Sequence, residues 1–340
     1  MSAKLNVIPP SVHLGIVPTH LRFVGGLVPE ENGKFPRDAK GEIRIVSGMR
    51  DFLAMSKVTP KCVQLPYFAA ADSADVDEMV NGLKKLGLEV HFIIMLNGVN
   101  PMDPADEEGA VKQLVTSVKA AIRHNLTDVS STSIEEWMGA GAAALDAASF
   151  EKVVAQDVKV HLRAYKEAGV EGSSVKSWHI EFLRPGEFKT YTNVEKAWTF
   201  VSAANRALGK KFFKQIVDAA HCGDSGLGIA ENEKLIEKIA AADELGIFHA
   251  SAKTTRGCLS TDDGWIAALL TACAKTGKLG HIFVEIFDHE DPALELLRQL
   301  DPKHGVNTLD GRSYAEVTAD GLTDVAHRLN NLVVRGILTA

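Results

Sequence analysis

Cysteine is scarce in this chain. Cys62, Cys222, Cys258 and Cys273 are its only four, and none lies in a CxxC spacing, which argues against a disulfide framework and a zinc knuckle and sets a reducing cytoplasm as the expected compartment. Long apolar runs are missing too. No window approaches the roughly 18 consecutive apolar residues of a membrane span, and Met1 to Pro10 lacks a basic segment followed by an apolar one; a soluble, unexported protein is expected. Positive charge is not in excess: the formal net charge is −7 and basic runs such as Lys210-Lys211 are short, so neither nucleic acid nor an anionic membrane is an expected partner. A phosphate-binding glycine fingerprint is also lacking. The one notable cluster, Gly223-Asp224-Ser225-Gly226-Leu227-Gly228, fits neither a dinucleotide motif nor a P-loop and reads as a flexible loop.

What is present is an ordinary globular composition, 46% hydrophobic and 24% charged over 340 residues, enough to bury a substantial core. Apolar strand-like runs alternate with amphipathic windows about eight times. Strands are predicted near 12–17, 62–66, 89–95, 126–131, 176–182, 213–218, 246–250 and 281–287. Helices are predicted near 45–57, 73–86, 105–123, 145–168, 191–208, 230–242, 261–276 and 292–300. This order predicts an α/β chain folded as a closed (β/α)8 TIM barrel rather than an open sheet. A single domain over 1–340 is expected, with the barrel over about 11–300 and a C-terminal helical extension over 301–340 that includes 322–334. Segments 18–44 and 132–144 are longer than a minimal barrel needs and read as extended loops, the second as a mobile one.

Four metal-ligand types fall at the ends of four successive strand runs: Glu181 after Ser177-Trp178-His179-Ile180, Asp218 after Phe212 to Val217, His249 after Leu245 to Phe248, and Glu285 after His281 to Val284. In a parallel barrel the C-terminal strand ends meet at one face. Taken singly, each carboxylate is equally a helix cap or a salt-bridge partner. Taken in order they make a mostly oxygen shell suited to one divalent ion, Mn²⁺ before Mg²⁺ or Co²⁺.

Further polar residues stand at short offsets from these four. Glu187 ends the run Glu181-Phe182-Leu183-Arg184-Pro185-Gly186-Glu187, His221 ends Asp218-Ala219-Ala220-His221, and Lys253 and Arg256 follow His249. The pattern resembles the xylose-isomerase-like barrels, specifically the sugar isomerase and epimerase branch that contains the ketose 3-epimerases. The resemblance implies that Glu181, Asp218, His249 and Glu285 hold one divalent metal and that Glu187, His221 and Arg256 bind a sugar. Trp178, Trp265 and Phe287 flank the site in sequence as an apolar wall or as ordinary core.

The chemistry that follows is proton abstraction next to a carbonyl through a metal-stabilised enediolate, with Glu181 and Glu285 as acid and base on opposite sides of the sugar. His179 complicates this expectation. It lies two residues before Glu181, on the same side of the strand, where an added base would suit the related metal-dependent 3-oxo-glycoside lyases and deglycosidases, which eliminate the aglycone after deprotonation at C2. The leading expectation is a divalent-metal-dependent sugar isomerase or epimerase, most like a ketose 3-epimerase and acting on an unphosphorylated sugar; the alternatives are that lyase and a non-catalytic carbohydrate-binding subunit. A homo-oligomer is expected, and the lyase reading admits a small second subunit.

Overall fold

The structure is a computed structural model that describes residues 8–18, 28–139, 146–252, 263–286, 295–300, 302 and 311–339. Eight strands close into one barrel in chain order. They are β1 His13–Val17, β2 Cys62–Tyr67, β3 Glu89–Ile94, β4 Asp128–Ser131, β5 Ser177–Ile180, β6 Phe213–Asp218, β7 Leu245–Ala250 and β8 His281–Glu285. Every strand lies on one of the predicted runs. The helices are α1 Arg44–Met55, α2 Ser73–Lys85, α3 Glu107–Arg123, α4 Ala147–Glu167, α5 Val194–Leu208, α6 Ala219–Asp224, α7 Ile229–Ala241, α8 Trp265–Lys275, α9 Glu295–Leu300 and α10 Tyr314–Val334. The short α6 is the main departure from expectation. It covers Gly223 and Asp224 at the start of the glycine-containing stretch read from sequence as a loop.

Contact density divides the chain into two compact units, residues 1–90 with 248–340, and residues 91–247. In the first, β1 pairs in parallel with β2 and with β8, in register from His13 opposite His281 to Val17 opposite Glu285. Helix α10 packs against β1, β8, α1 and α8, burying Val317, Leu322, Val325, Leu329 and Leu332. These positions recur at helical spacing, and Ser313 with Glu316 closes a capping box at its start. The tail thereby supplies a full ring helix, whereas the predicted eighth helix near 292–300 is the six-residue α9.

In the second unit β3, β4, β5 and β6 pair in parallel, and α4 packs on α3 and α5. Their strands are buried over nearly their whole length, although β4 (Asp128-Val129-Ser130-Ser131) and β5 (Ser177-Trp178-His179-Ile180) are largely polar in sequence. Helix α5 shows how local chemistry sets the boundaries. Asn193 caps its first turn by accepting from the Lys196 N–H, and Gly209 ends it at φ 74, a left-handed conformation that glycine adopts without a Cβ clash.

Candidate metal centre

The strands place the predicted ligands at their C-terminal ends: Asp218 and Glu285 are the last residues of β6 and β8, His249 is the penultimate residue of β7, and Glu181 follows β5 directly. All four are buried. Each offers one ligand atom, and these atoms lie within 4.8 Å of one another. Three buried carboxylates this close repel one another unless they are protonated or share a cation. The donors, three carboxylate oxygens and one imidazole nitrogen, fit a divalent ion of the hard to borderline class.

Hydrogen bonds orient these candidate ligands on each side. In residues 91–247, Asp218 Oδ1 accepts from the His221 N–H at 2.7 Å, so the carboxylate caps α6. His221 Nδ1 accepts from the Arg184 N–H at 3.2 Å. That fixes the imidazole proton on Nε2, which faces Glu181 Oε1 at 3.8 Å. The helix α6, whose last two residues fall in the glycine-containing stretch, carries His221 to this position.

In the other unit, His249 Nε2 stands 2.9 Å from Gln64 Oε1, and its Nδ1 lies 3.5 Å from Glu285 Oε2. With Nε2–H donating to Gln64, the lone pair resides on Nδ1, the nitrogen directed at Glu285. An imidazole ligand held by a second partner in this way has its tautomer and ring angle set before any metal arrives. Ser251 Oγ donates to the Glu285 carbonyl at 2.9 Å and to its Oε2 at 3.3 Å. Gln64 was missed from sequence. Its only sequence signal is an amide in the otherwise apolar run Cys62-Val63-Gln64-Leu65 of β2, which the structure buries fully.

Glu187 is buried on the loop after β5. Its Oε1 accepts from Trp137 Nε1 at 3.3 Å and its Oε2 lies 3.2 Å from Arg184 Nε. The turn that delivers it needs Gly186, whose φ is 104. Glu135 secures the same loop: its two oxygens accept from the N–H groups of Lys189, Thr190 and Tyr191 at 2.8–3.1 Å. Burial pushes the Glu135 carboxyl up, against the pull of those amides. The segment 132–144 had been read as mobile, yet its described part, 132–139, is fastened to this loop by Glu135, Trp137 and the Met138 N–H to Glu187 O. Glu135 and Arg184 are further residues of the site that sequence reasoning assigned no role.

His179 departs from expectation. Its ring is buried, and Nε2 lies 2.8 Å from Ser177 Oγ and 3.3 Å from Asp128 Oδ1, residues that begin β5 and β4. The side chain does share its strand side with Glu181, but it leans toward the strand starts, away from the ligand end. It fills a slot that exists because residue 246 is glycine; a Cβ there would stand 2.4 Å from His179 Nδ1. Trp178 is wholly buried and donates through Nε1 to Ser131 Oγ at 2.8 Å, and Trp265 is buried at the start of α8; both read as core. Arg256, Lys253, Phe287 and residues 140–144 lie outside the described residues, and among the described residues no helix is long and apolar enough to cross a membrane.

No protein-family model matches the chain, and no curated protein sequence matches it. Solved structures do. An L-ribulose 3-epimerase superposes with a TM-score of 0.71 at 16% identity, over 96% of this chain and 97% of its own. A putative sugar phosphate isomerase/epimerase from Anabaena variabilis gives 0.72 at 16% identity, over 95% and 99%. A 3-keto-D-glucoside 4-epimerase from E. coli gives 0.55 at 14% identity, over 85% and 97%. At such identities the likeness shows the fold, an eight-stranded parallel barrel of the kind seen in sugar isomerases and epimerases.

Proposed function

We propose that the protein is a divalent-metal-dependent sugar epimerase that inverts a carbinol centre beside a ketone, most like a ketose 3-epimerase. The observation that carries this reading is the convergence of Glu181, Asp218, His249 and Glu285, and the resemblance of the fold to structures of sugar epimerases supports it. A divalent ion bound by these residues, Mn²⁺ by preference of the oxygen-rich set, would stabilise the charge that develops on the carbonyl oxygen as the adjacent C–H is deprotonated. Glu181 and Glu285 would take the proton from one face of the sugar and return one from the other. His221, with its proton on the nitrogen that faces Glu181, would donate to a substrate oxygen beside the reacting carbon. Glu187, held by Trp137 and Arg184, would bind a sugar hydroxyl, and Arg256 keeps the sugar-binding role the resemblance implies.

Elimination from a 3-oxo-glycoside had rested on His179 as an extra base. Its hydrogen bonds to Ser177 and Asp128 withdraw that support, and proton exchange without loss of a leaving group remains the proposal. The test is incubation of Mn²⁺-loaded protein in D₂O with a panel of free ketoses and, in parallel, 3-oxo-glucosides, read by NMR and mass. Deuterium at C3 of a ketose with the carbon skeleton intact is the expected result. Release of an aglycone would assign elimination instead, and no exchange on any substrate would leave a binding protein. His221→Ala should lower exchange by about 10²–10⁴-fold, as loss of a positioned proton donor does, with the metal content unchanged.

A further inference from the structure

A second set of metal-ligating side chains sits at the N-terminal ends of the strands. His13 and His281 are the first residues of β1 and β8 and stand opposite each other in register. Their rings approach edge to face with centroids 5.0 Å apart. Glu89, the first residue of β3, bridges them: Oε2 is 2.7 Å from His13 Nδ1 and Oε1 is 3.3 Å from His281 Nε2. One ligand atom from each of the three lies within 4.8 Å of the others. We propose that these three side chains form a second divalent transition-metal site, of the zinc class, separate from the four-residue site at the opposite strand ends.

The donor set distinguishes the two sites. Two imidazoles and one carboxylate match the three-protein-ligand sites in which Zn²⁺ keeps a water as its fourth ligand. Bonds of about 2.0–2.1 Å in a tetrahedron place neighbouring ligand atoms roughly 3.3 Å apart. The contacts at 2.7 Å and 3.3 Å run to different oxygens of Glu89, so one oxygen must turn to face both imidazoles; with one ligand atom from each residue already within 4.8 Å of the others, side-chain rotation can close the remaining gap. The side chains of His13, Glu89 and His281 are 40%, 33% and 21% exposed, so an ion can enter without unfolding the barrel and retain a water. The nitrogen-rich set favours Zn²⁺, Co²⁺ or Ni²⁺ and discriminates against Mg²⁺, whereas the oxygen-rich set at the other end accepts Mg²⁺ and Mn²⁺. An ion here would clasp β1, β8 and β3, the first and last strands among them, and add binding energy to folding.

The experiment is Zn²⁺ titration of the metal-stripped full-length protein by calorimetry, with metal content checked after desalting, in the parent and in His13→Gln, His281→Gln and Asp218→Asn variants. Two equivalents are expected in the parent and one in each variant. The equivalent remaining in the two histidine variants should be displaced by excess Mn²⁺, and the one remaining in Asp218→Asn should not. A histidine variant that fails to fold leaves a measurement on the folded parent: Co²⁺ added after saturation with Mg²⁺ should give the strong visible absorption of a four-coordinate nitrogen-ligated ion. A parent that holds no equivalent lost on histidine substitution, or only the weak spectrum of six-coordinate Co²⁺, would overturn the proposal. A single equivalent in the parent that disappears in both histidine variants and persists in Asp218→Asn would count against the epimerase reading and leave this site standing.

Discussion

Strands β4, β5 and β6 carry polar residues at both ends, and the two ends use them differently. At the starts, Asp128 accepts from Ser177 Oγ and from the His179 ring, so each group there has a complementary neighbour. Burial would push Asp128 up, but the hydrogen bond and charge of His179, the charge of His91 and the Ser177 hydroxyl together hold it far below the ordinary carboxylate range. At the other ends, Glu181 and Asp218 belong to a group of three carboxylates and one histidine. Carboxylates paired with donors stabilise a fold; carboxylates gathered against one another store repulsion that a bound cation releases. Both groups hold carboxylates and histidines, and what separates them on these strands is the sign of the charges that meet.

The sharpest way to break the comparison is to neutralise one carboxylate at each end. Asp218→Asn preserves the cap on α6, because Asn and Asp are comparable N-caps, yet removes a ligand charge. Turnover should fall by about 10³-fold with loss of metal, on the scale of deleting a transition-state charge stabiliser, and with the unfolding midpoint of the metal-free protein unchanged or raised. Asp128→Asn should do the opposite. It weakens charge-assisted bonds, so stability should drop by about 1.5–3 kcal/mol by urea denaturation while metal content stays normal. Equal effects on activity would erase the distinction.

A second contrast concerns buried histidines. His161 donates through Nδ1 to the Asp157 carbonyl and accepts through Nε2 from Ser133 Oγ, both at 2.8 Å, and burial depresses its pKa to about 4 against the pull of the Asp157 carbonyl. As pH falls below the ordinary histidine value near 6.5, the unfolded chain takes up a proton that the native state refuses. Stability attributable to His161 should therefore decline from about pH 6.5 to about pH 4 and level off below, by on the order of 3 kcal/mol. Urea midpoints across that range, compared with those of His161→Gln, isolate the effect; a profile unchanged by the substitution would contradict it.

The smallest expected effect tests the strand-end site through its support. Gln64→Leu keeps the volume of a wholly buried side chain and removes the acceptor for His249 Nε2–H. Metal affinity should weaken by about 10–100-fold, the usual cost of losing an imidazole's outer partner, and the loss should be visible in Mn²⁺ titrations with little change in the fold. Unaltered affinity would mean that His249 is oriented by Glu285 and Ser251 without Gln64.

The amino-acid sequence by itself determined the element order, because hydrophobic periodicity is a local property: eight apolar runs became eight strands, and Val76, Met79, Val80 and Leu83 on α2 display the buried stripe that spacing alone announces. It also determined the four strand-end residues, since parallel barrel topology sends every strand end to one face. The tertiary structure alone decided the partners. Gln64 and His249 are 185 residues apart, and Glu135 meets the amides of 189–191 from 54–56 residues away; no local pattern encodes such pairs. The direction of His179 was likewise undetermined, because a strand's alternation fixes which side a ring emerges on and leaves open which end of the barrel it leans toward. That choice belongs to Asp128, Ser177 and the missing Cβ at Gly246, three residues on three different strands that only the closed barrel brings around one imidazole.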